Sequence, residues 1–297
     1  MRGFTLPEML IATLISMVVS GALLLVARPA HAVFQAQVEA TDLQQRLRAA
    51  VNAIAGDLAM AGAGPTSGAS RGPLSRGEAA VLPYRRGTIA DDPRANIFYR
   101  PDTITLRYVA TTAMQPTIAS HTYYLRADAT SGAFQLMHYD GGGADFPMID
   151  NVLRLAFEYF GEVRPPTSIA PPAADVDFDS RDEYGAGENC LFRRVDGEPA
   201  PRLTTLGAGL ALVRLESPML TDGPWCPNAA SASRFDADLL RIRRVGVRLR
   251  LQVGQAALRG AISAMFERRG SATSAFQLVP DDEIRFDITP RNLNVDR

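Results

Sequence analysis

The sequence predicts an α+β protein, in which one long N-terminal helix precedes a domain built on an antiparallel β-sheet with long loop insertions. Three observations carry that prediction. Residues 9–27 hold no ionisable side chain. Leu43, Leu47, Val51, Ile54 and Leu58 recur at steps of 4, 4, 3 and 4, which draws one apolar stripe along a helix. From about residue 80 onward, short runs rich in β-branched and aromatic residues alternate apolar with polar positions, the period of a half-buried strand.

The helix comes first and has two parts. A run of about 19 residues at 1.5 Å each spans roughly 28 Å, close to the hydrocarbon thickness of a bilayer. Glu8 stands at the edge of this run. A carboxylate carried into hydrocarbon is expensive and calls for a partner, whereas one at headgroup depth needs none, so both explanations are open. Pro7 fits a first helical turn, where its missing N–H has no intrahelical acceptor to lose. Beyond Arg28 and Pro29 the apolar stripe continues, Asp42 and Arg46 form an i,i+4 pair, and Gly62 to Gly64 followed by Pro65 make a stop. A continuous helix from Phe4 to Ala61 measures roughly 87 Å, with Pro29 as the natural place for a kink.

Strands follow. "DTITLRYVATT" reads as one strand, and "HTYYLRADATSGAFQLMHYDGGG" as a hairpin turning near Asp128 to Gly132. In "NVLRLAFEYFG", Leu153, Leu155, Phe157 and Tyr159 alternate with Arg154, Ala156 and Glu158, so one face is buried and the other wet. "VGVRLRLQV" places Val245, Val247, Leu249, Leu251 and Val253 on one face in the same way, and "DEIRFDITPRNLN" supplies a last strand.

Bulk composition excludes little. The chain has 297 residues, 46% of them hydrophobic and 21% charged, with a formal net charge of -1, so no global charge excess points to nucleic acid or to a solvating tail. All 31 basic residues are arginine, a side chain that never titrates and pairs with carboxylates as a fork. Arg241, Arg243, Arg244, Arg248 and Arg250 could meet DNA phosphates. The nearer expectation is that Asp236, Asp238 and neighbouring acids pair with them, which makes nucleic acid an unfavoured partner.

Between the strands, a proline-rich connector leads into Asp175, Asp177, Asp179, Asp182 and Glu183. Alternate aspartates can turn their oxygens towards one calcium ion. The match to an EF-hand loop fails, since Ser180 occupies the glycine place and Ala186 the final glutamate place, so a calcium site and a solvated acidic loop both stand as readings. Cys190 and Cys226 are either free thiols or one disulfide, and the compartment decides. Closing that loop of about 37 residues would contribute on the order of 3 to 4 kcal/mol in the chain-entropy account.

Nothing in the sequence points to catalysis. His31 falls on the helix and His121 and His138 on the hairpin, with no H-x-x-x-H or C-x-x-C spacing to support zinc. "YDGGGADF" lacks the Lys-Ser/Thr of a phosphate loop, and no G-x-S-x-G elbow occurs. The chain is expected not to be an enzyme.

"GFTLPEMLIA" resembles the signal of type IV prepilins, a short basic leader ending in glycine, then phenylalanine, then a glutamate at the fifth mature position. Here these are Gly3, Phe4 and Glu8. The resemblance implies cleavage between Gly3 and Phe4 by prepilin peptidase and N-methylation of Phe4. It also implies that Glu8 serves subunit assembly by neutralising the N-terminal amine of a neighbouring pilin. "LQQRLRAAVNAIAGDLAMAGAG" and the terminal Arg291-Asn292 resemble PilW-like minor pilins. On that resemblance residues 1–3 are the leader, 4–27 a transmembrane helix, 28–62 its amphipathic continuation lying on the sheet, and 63–297 a periplasmic or extracellular β-rich domain of pilin fold. Other major and minor pilins would be the partners, the inner membrane the starting location, and an oxidising compartment would favour the Cys190–Cys226 disulfide. Calcium is the only cofactor with any support. Two alternatives remain. One is a type II secretion pseudopilin similar to the GspJ subunit. The other is a Sec-secreted or membrane-anchored binding protein recognising calcium, DNA or a surface, for which Ala30 and Ala32 ahead of Val33 offer an A-x-A cleavage pattern.

Overall fold

The computed structural model describes residues 5–64, 66–67, 70–71, 79–85, 99–112, 115–128, 132–141, 145–163, 192–201, 211–221, 225–226, 235–274 and 277–293. The chain divides into two compact units, Met1–Arg46 with Gln252–Asp282, and Leu47–Leu251 with Glu283–Arg297. One helix, α1 (Leu6–Met60), contributes to both, and its helical assignment runs through position 29 without a break.

The apolar stripe of α1 is real but rotated slightly from its expected seam. Ala36, Leu43, Leu47, Ala50, Ile54, Leu58 and Ala61 are buried, whereas Val51 is only half-buried. At 100° per residue Val51 lies about 60° from the centre of this set, at the margin of a stripe whose middle admits the small Ala50. Burying Ile54 and Leu58 completely contributes about 1.5–3 kcal/mol each. The helix ends at Met60, where the stop was expected. Gly62 takes the left-handed conformation (φ +80°) that suits glycine after a helix, its N–H bonds the Arg107 carbonyl, and the Asn292 side chain donates to the Ala59 carbonyl at 3.3 Å. The Asn292 of the terminal Arg-Asn pair thus satisfies an end carbonyl of α1.

Eight strands form the main sheet: β1 (Val81–Leu82), β2 (Ile104–Thr112), β3 (Gln115–Ala127), β4 (Phe134–Tyr139), β5 (Asp145–Glu162), β6 (Leu212–Leu215), β7 (Ile242–Leu251) and β8 (Asp282–Ile288). Their order is β8-β7-β5-β4-β3-β2-β1, with β6 beside the end of β5. Strands β1 to β5 form an antiparallel meander, and β6 and β7 each pair antiparallel with β5. The expected hairpin is β3–β4, its turn closed by the Asp128 and Ala133 backbones. Strand β5 gives its first half to β4 and its second half to β7. The changeover coincides with Asn151, which has a positive φ of 60°, and with a shift in register, the signature of a β-bulge. Alternation along β5 and β7 holds as expected: Leu153, Leu155, Phe157 and Tyr159 are buried, as are Val245, Val247, Leu249 and Leu251.

One face of the β2–β4 ladder carries Leu106, Tyr108, His121, Tyr123, Leu136 and His138, since Leu106 opposes His121 and Tyr123 opposes His138. The other face carries Thr105 and Thr122, whose hydroxyls meet at 2.8 Å, and Tyr124 and Tyr139, whose rings stack on the Arg85 guanidinium. Short ladders lie outside the main sheet, among them Phe192–Val195 with Glu198–Pro201 and Trp225–Cys226 with Phe235–Asp236.

In the other unit, residues 252–274 and 277–281 form an irregular excursion with Val253, Leu258, Phe266 and Val279 buried. Gly270 lies against the Ala256 and Arg259 carbonyl oxygens with no room for a Cβ, which explains glycine there. Gln255 donates to Glu39 of α1 at 3.1 Å.

Candidate functional site

The start of α1 is the first candidate site. Thr5 is its N-cap, with Leu6, Pro7 and Glu8 the first three helical positions. Glu8 Oε2 accepts the Thr5 N–H at 3.0 Å and the Thr5 hydroxyl at 2.8 Å. This is the reaching-back half of a capping box, T-x-x-E. Glu8 therefore has a partner within its own chain, and the local motif was readable in "TLPE". Downstream, Leu6, Met9, Leu10, Leu14, Met17, Leu25 and Val26 are all exposed. Among the described residues this is the one helix long and apolar enough to cross a membrane, and none of its apolar window is buried. Gly3 and Phe4 lie outside the described residues, so the cleavage and methylation positions have no geometry here.

The same holds for Asp175, Asp177, Asp179, Asp182, Glu183 and Cys190. Cys226 is described only through its backbone, which pairs with Phe235.

The arginines of β7 and its approach are engaged with the protein. Arg241 meets Asp238 at 3.3 Å and donates to the Glu162 and Val163 carbonyls, and Arg243 meets Glu162 at 2.7 Å. Arg248 lies 3.9 Å from Glu283, and Arg244 stacks on Phe160. Asp238 thus pairs as expected. Asp236 caps the short 3-10 helix Ala237–Arg241 by accepting the Asp238 N–H at 2.7 Å.

A third arrangement has no local signature in the sequence. Asp57, His121 and His138 each present one ligand-type atom, and the three atoms lie within 4.8 Å of one another. His121 Nδ1 is 2.9 Å from His138 Nε2 and 3.5 Å from Asp57 Oδ2. The Tyr123 hydroxyl donates to Asp57 Oδ2 at 2.6 Å, and the Tyr108 hydroxyl lies 3.0 Å from His121 Nε2. Burial raises the Tyr123 and Tyr108 phenols, with Asp57 adding to both. Burial also pushes the His138 imidazole down, His121 pushes the same way, and Asp57 and Asp140 oppose. The missing H-x-x-x-H spacing was no guide, because the histidines sit diagonally on paired strands and Asp57 comes from the helix. The expected hairpin turn implies the histidine diagonal; nothing local implies Asp57.

A family model described as the prokaryotic N-terminal methylation motif matches residues 1–24. No curated protein matches the chain in sequence. Among solved structures the chain is similar to a type IV-like pilin, TTHA1219 from Thermus thermophilus, at 13% identity and a TM-score of 0.33, with 85% of this chain and 98% of that chain covered. The chain carries a prepilin-type methylation motif, set at the head of an apolar helix that leads into an antiparallel sheet.

Proposed function

We propose that the protein is a minor type IV pilin of the PilW-like class, cleaved between Gly3 and Phe4, N-methylated on Phe4, and assembled with other pilins at the tip or initiating complex of a pilus. The observation that carries the reading is the match of residues 1–24 to the N-terminal methylation motif. It is supported by the exposed apolar length of α1 that follows directly, since such a surface needs lipid or neighbouring helices to cover it. Before assembly the helix anchors the chain in the inner membrane with the sheet domain in the periplasm. In the filament the same apolar surface packs against other subunits. A domain of roughly 230 residues is large for a subunit repeated along a whole filament, which favours the tip. Prepilin peptidase is the processing partner.

Intact-mass and N-terminal peptide analysis of the protein extracted from its native membrane tests this. A chain beginning at N-methylated Phe4 is expected. A chain beginning at Val33 would mean that signal peptidase had removed the apolar half of α1, and the filament reading would fall.

A further inference from the structure

We propose that Asp57, His121 and His138 form a binding site for a divalent transition-metal ion of the zinc class, which clamps the last turns of α1 to the β3–β4 hairpin.

The donor set is the first argument. Two imidazole nitrogens and one carboxylate oxygen suit Zn2+, Co2+ or Ni2+ and disfavour the all-oxygen preference of calcium and magnesium. Geometry is the second. Ligand atoms on a tetrahedral zinc with bonds of about 2.0–2.1 Å lie about 3.3 Å apart. Here His121 Nδ1 lies 2.9 Å from His138 Nε2 and 3.5 Å from Asp57 Oδ2, and all three atoms lie within 4.8 Å of one another, so two of the three separations are already within about half an ångström of that spacing. Each ligand stands on a regular element. His121 and His138 form a diagonal across the β3–β4 register, and Asp57 lies one turn before the end of α1.

The surrounding groups are those a metal ligand needs. His121 offers Nδ1 to the cluster while its Nε2 faces the Tyr108 hydroxyl at 3.0 Å; with Nδ1 on the metal, the Nε2–H donates a hydrogen bond to that hydroxyl oxygen, which fixes the ring. Tyr123 holds the Asp57 carboxylate at 2.6 Å. Asp57 and His121 each retain about a fifth of their side-chain exposure, which leaves an approach for the ion and a fourth position for water. The carboxylate supplies one negative charge to an ion of charge two, so the bound cluster carries one net positive charge, with Asp140 acting on the same ring from nearby. None of this depends on the chain entering a filament.

The test is metal titration of the full chain in mild detergent after stripping with a chelator, with Zn2+ as ligand and Co2+ as spectroscopic probe. One Zn2+ per chain is expected, along with a Co2+ visible spectrum that Zn2+ abolishes. His121→Gln and His138→Gln should each weaken Zn2+ binding by more than about 100-fold, beyond the roughly 10–100-fold typical of an outer partner, and Tyr108→Phe by about 10-fold. His31→Gln should change nothing, because His31 lies on α1 outside the cluster beside Gln35. If His121→Gln fails to fold, as judged by circular dichroism, His138→Gln and Tyr108→Phe decide. No retained Zn2+ and no Co2+ spectrum would overturn the site, as would binding that His138→Gln leaves intact.

Discussion

Helix α1 carries a carboxylate near each end, and the two are satisfied by opposite means. Glu8 is fully exposed and bonds Thr5, three residues away, through backbone and hydroxyl. Asp57 is partly buried and bonds Tyr123, 66 residues away, with His121 and His138 alongside. Glu8 can form its contacts as soon as the first turn forms. Asp57 can form its contacts only after β3 and β4 have paired and the helix has docked on them. The first carboxylate therefore remains available to act outside its own domain, while the second is committed inside it. Glu162 extends the second case, for it meets Arg243 from 81 residues away with both side chains nearly closed to water.

The largest expected effect follows from that last pair. Glu162→Ala leaves the Arg243 guanidinium buried without its carboxylate, and breaking such a pair costs about 3–5 kcal/mol. Denaturant unfolding of the variant should show that loss with an unchanged dependence on denaturant. A loss under about 1 kcal/mol would mean that the other acceptors of Arg243, among them the Leu240, Ile242 and Leu293 carbonyls, suffice without this carboxylate. Next comes Asp57→Ala, which orphans the Tyr123 hydroxyl in a buried position. A hydrogen bond to a charged acceptor contributes about 1.5–3 kcal/mol, and Tyr123→Phe combined with Asp57→Ala should recover part of it, because the double change removes both partners. A double variant no more stable than Asp57→Ala would assign the cost to the histidines instead.

A smaller effect depends on pH. The imidazole of His138 is held below its ordinary value, chiefly by burial and then by His121. Its neighbours are His121, Asp57, Asp140 and Tyr123, with Tyr108 on the far side of His121. A histidine whose folded value is depressed binds fewer protons folded than unfolded. The stability it contributes is thus full above about pH 6.5 and is lost as pH falls through the lower folded value. His138→Gln should flatten the melting temperature between pH 7 and 5. An unchanged slope would place the acid sensitivity elsewhere.

What could be read in advance follows the same division between local and distant contacts. The stripe from Leu43 to Leu58, the stop at Gly62 and the alternation from Leu153 to Tyr159 are local periodicities, and the structure bears them out. The hairpin of Phe192–Val195 with Glu198–Pro201 turns on Asp196 and Gly197, both at positive φ. That is the Asp-Gly signal of a two-residue loop, present in the sequence and hidden by its setting in a proline-rich stretch. Residues 145–152 of β5 read poorly because Pro147 argues against a strand and Asn151 breaks the register. The Arg243–Glu162 pair, the Asn292 contact with Ala59 and the Tyr123 contact with Asp57 join residues 81, 233 and 66 positions apart, and no short window along the chain contains both members.

The smallest change in the folded domain, and the one that bears most on assembly, is at Glu8. Glutamine at this position of a capping box accepts the same N–H and hydroxyl bonds as glutamate, so Glu8→Gln keeps the cap and removes the charge, whereas Glu8→Ala removes both. Neither should alter the melting of the sheet domain, and both should still be cleaved between Gly3 and Phe4. If Glu8 neutralises the amine of a neighbouring subunit, Glu8→Gln and Glu8→Ala should fall equally in filament incorporation, measured by quantifying the protein in sheared filaments against the membrane fraction. If the carboxylate serves only Thr5, Glu8→Gln should incorporate normally and Glu8→Ala alone should fall. The two variants therefore separate a charge that acts between chains from a hydrogen bond that acts within one, at a residue where both explanations predict the same fate for alanine.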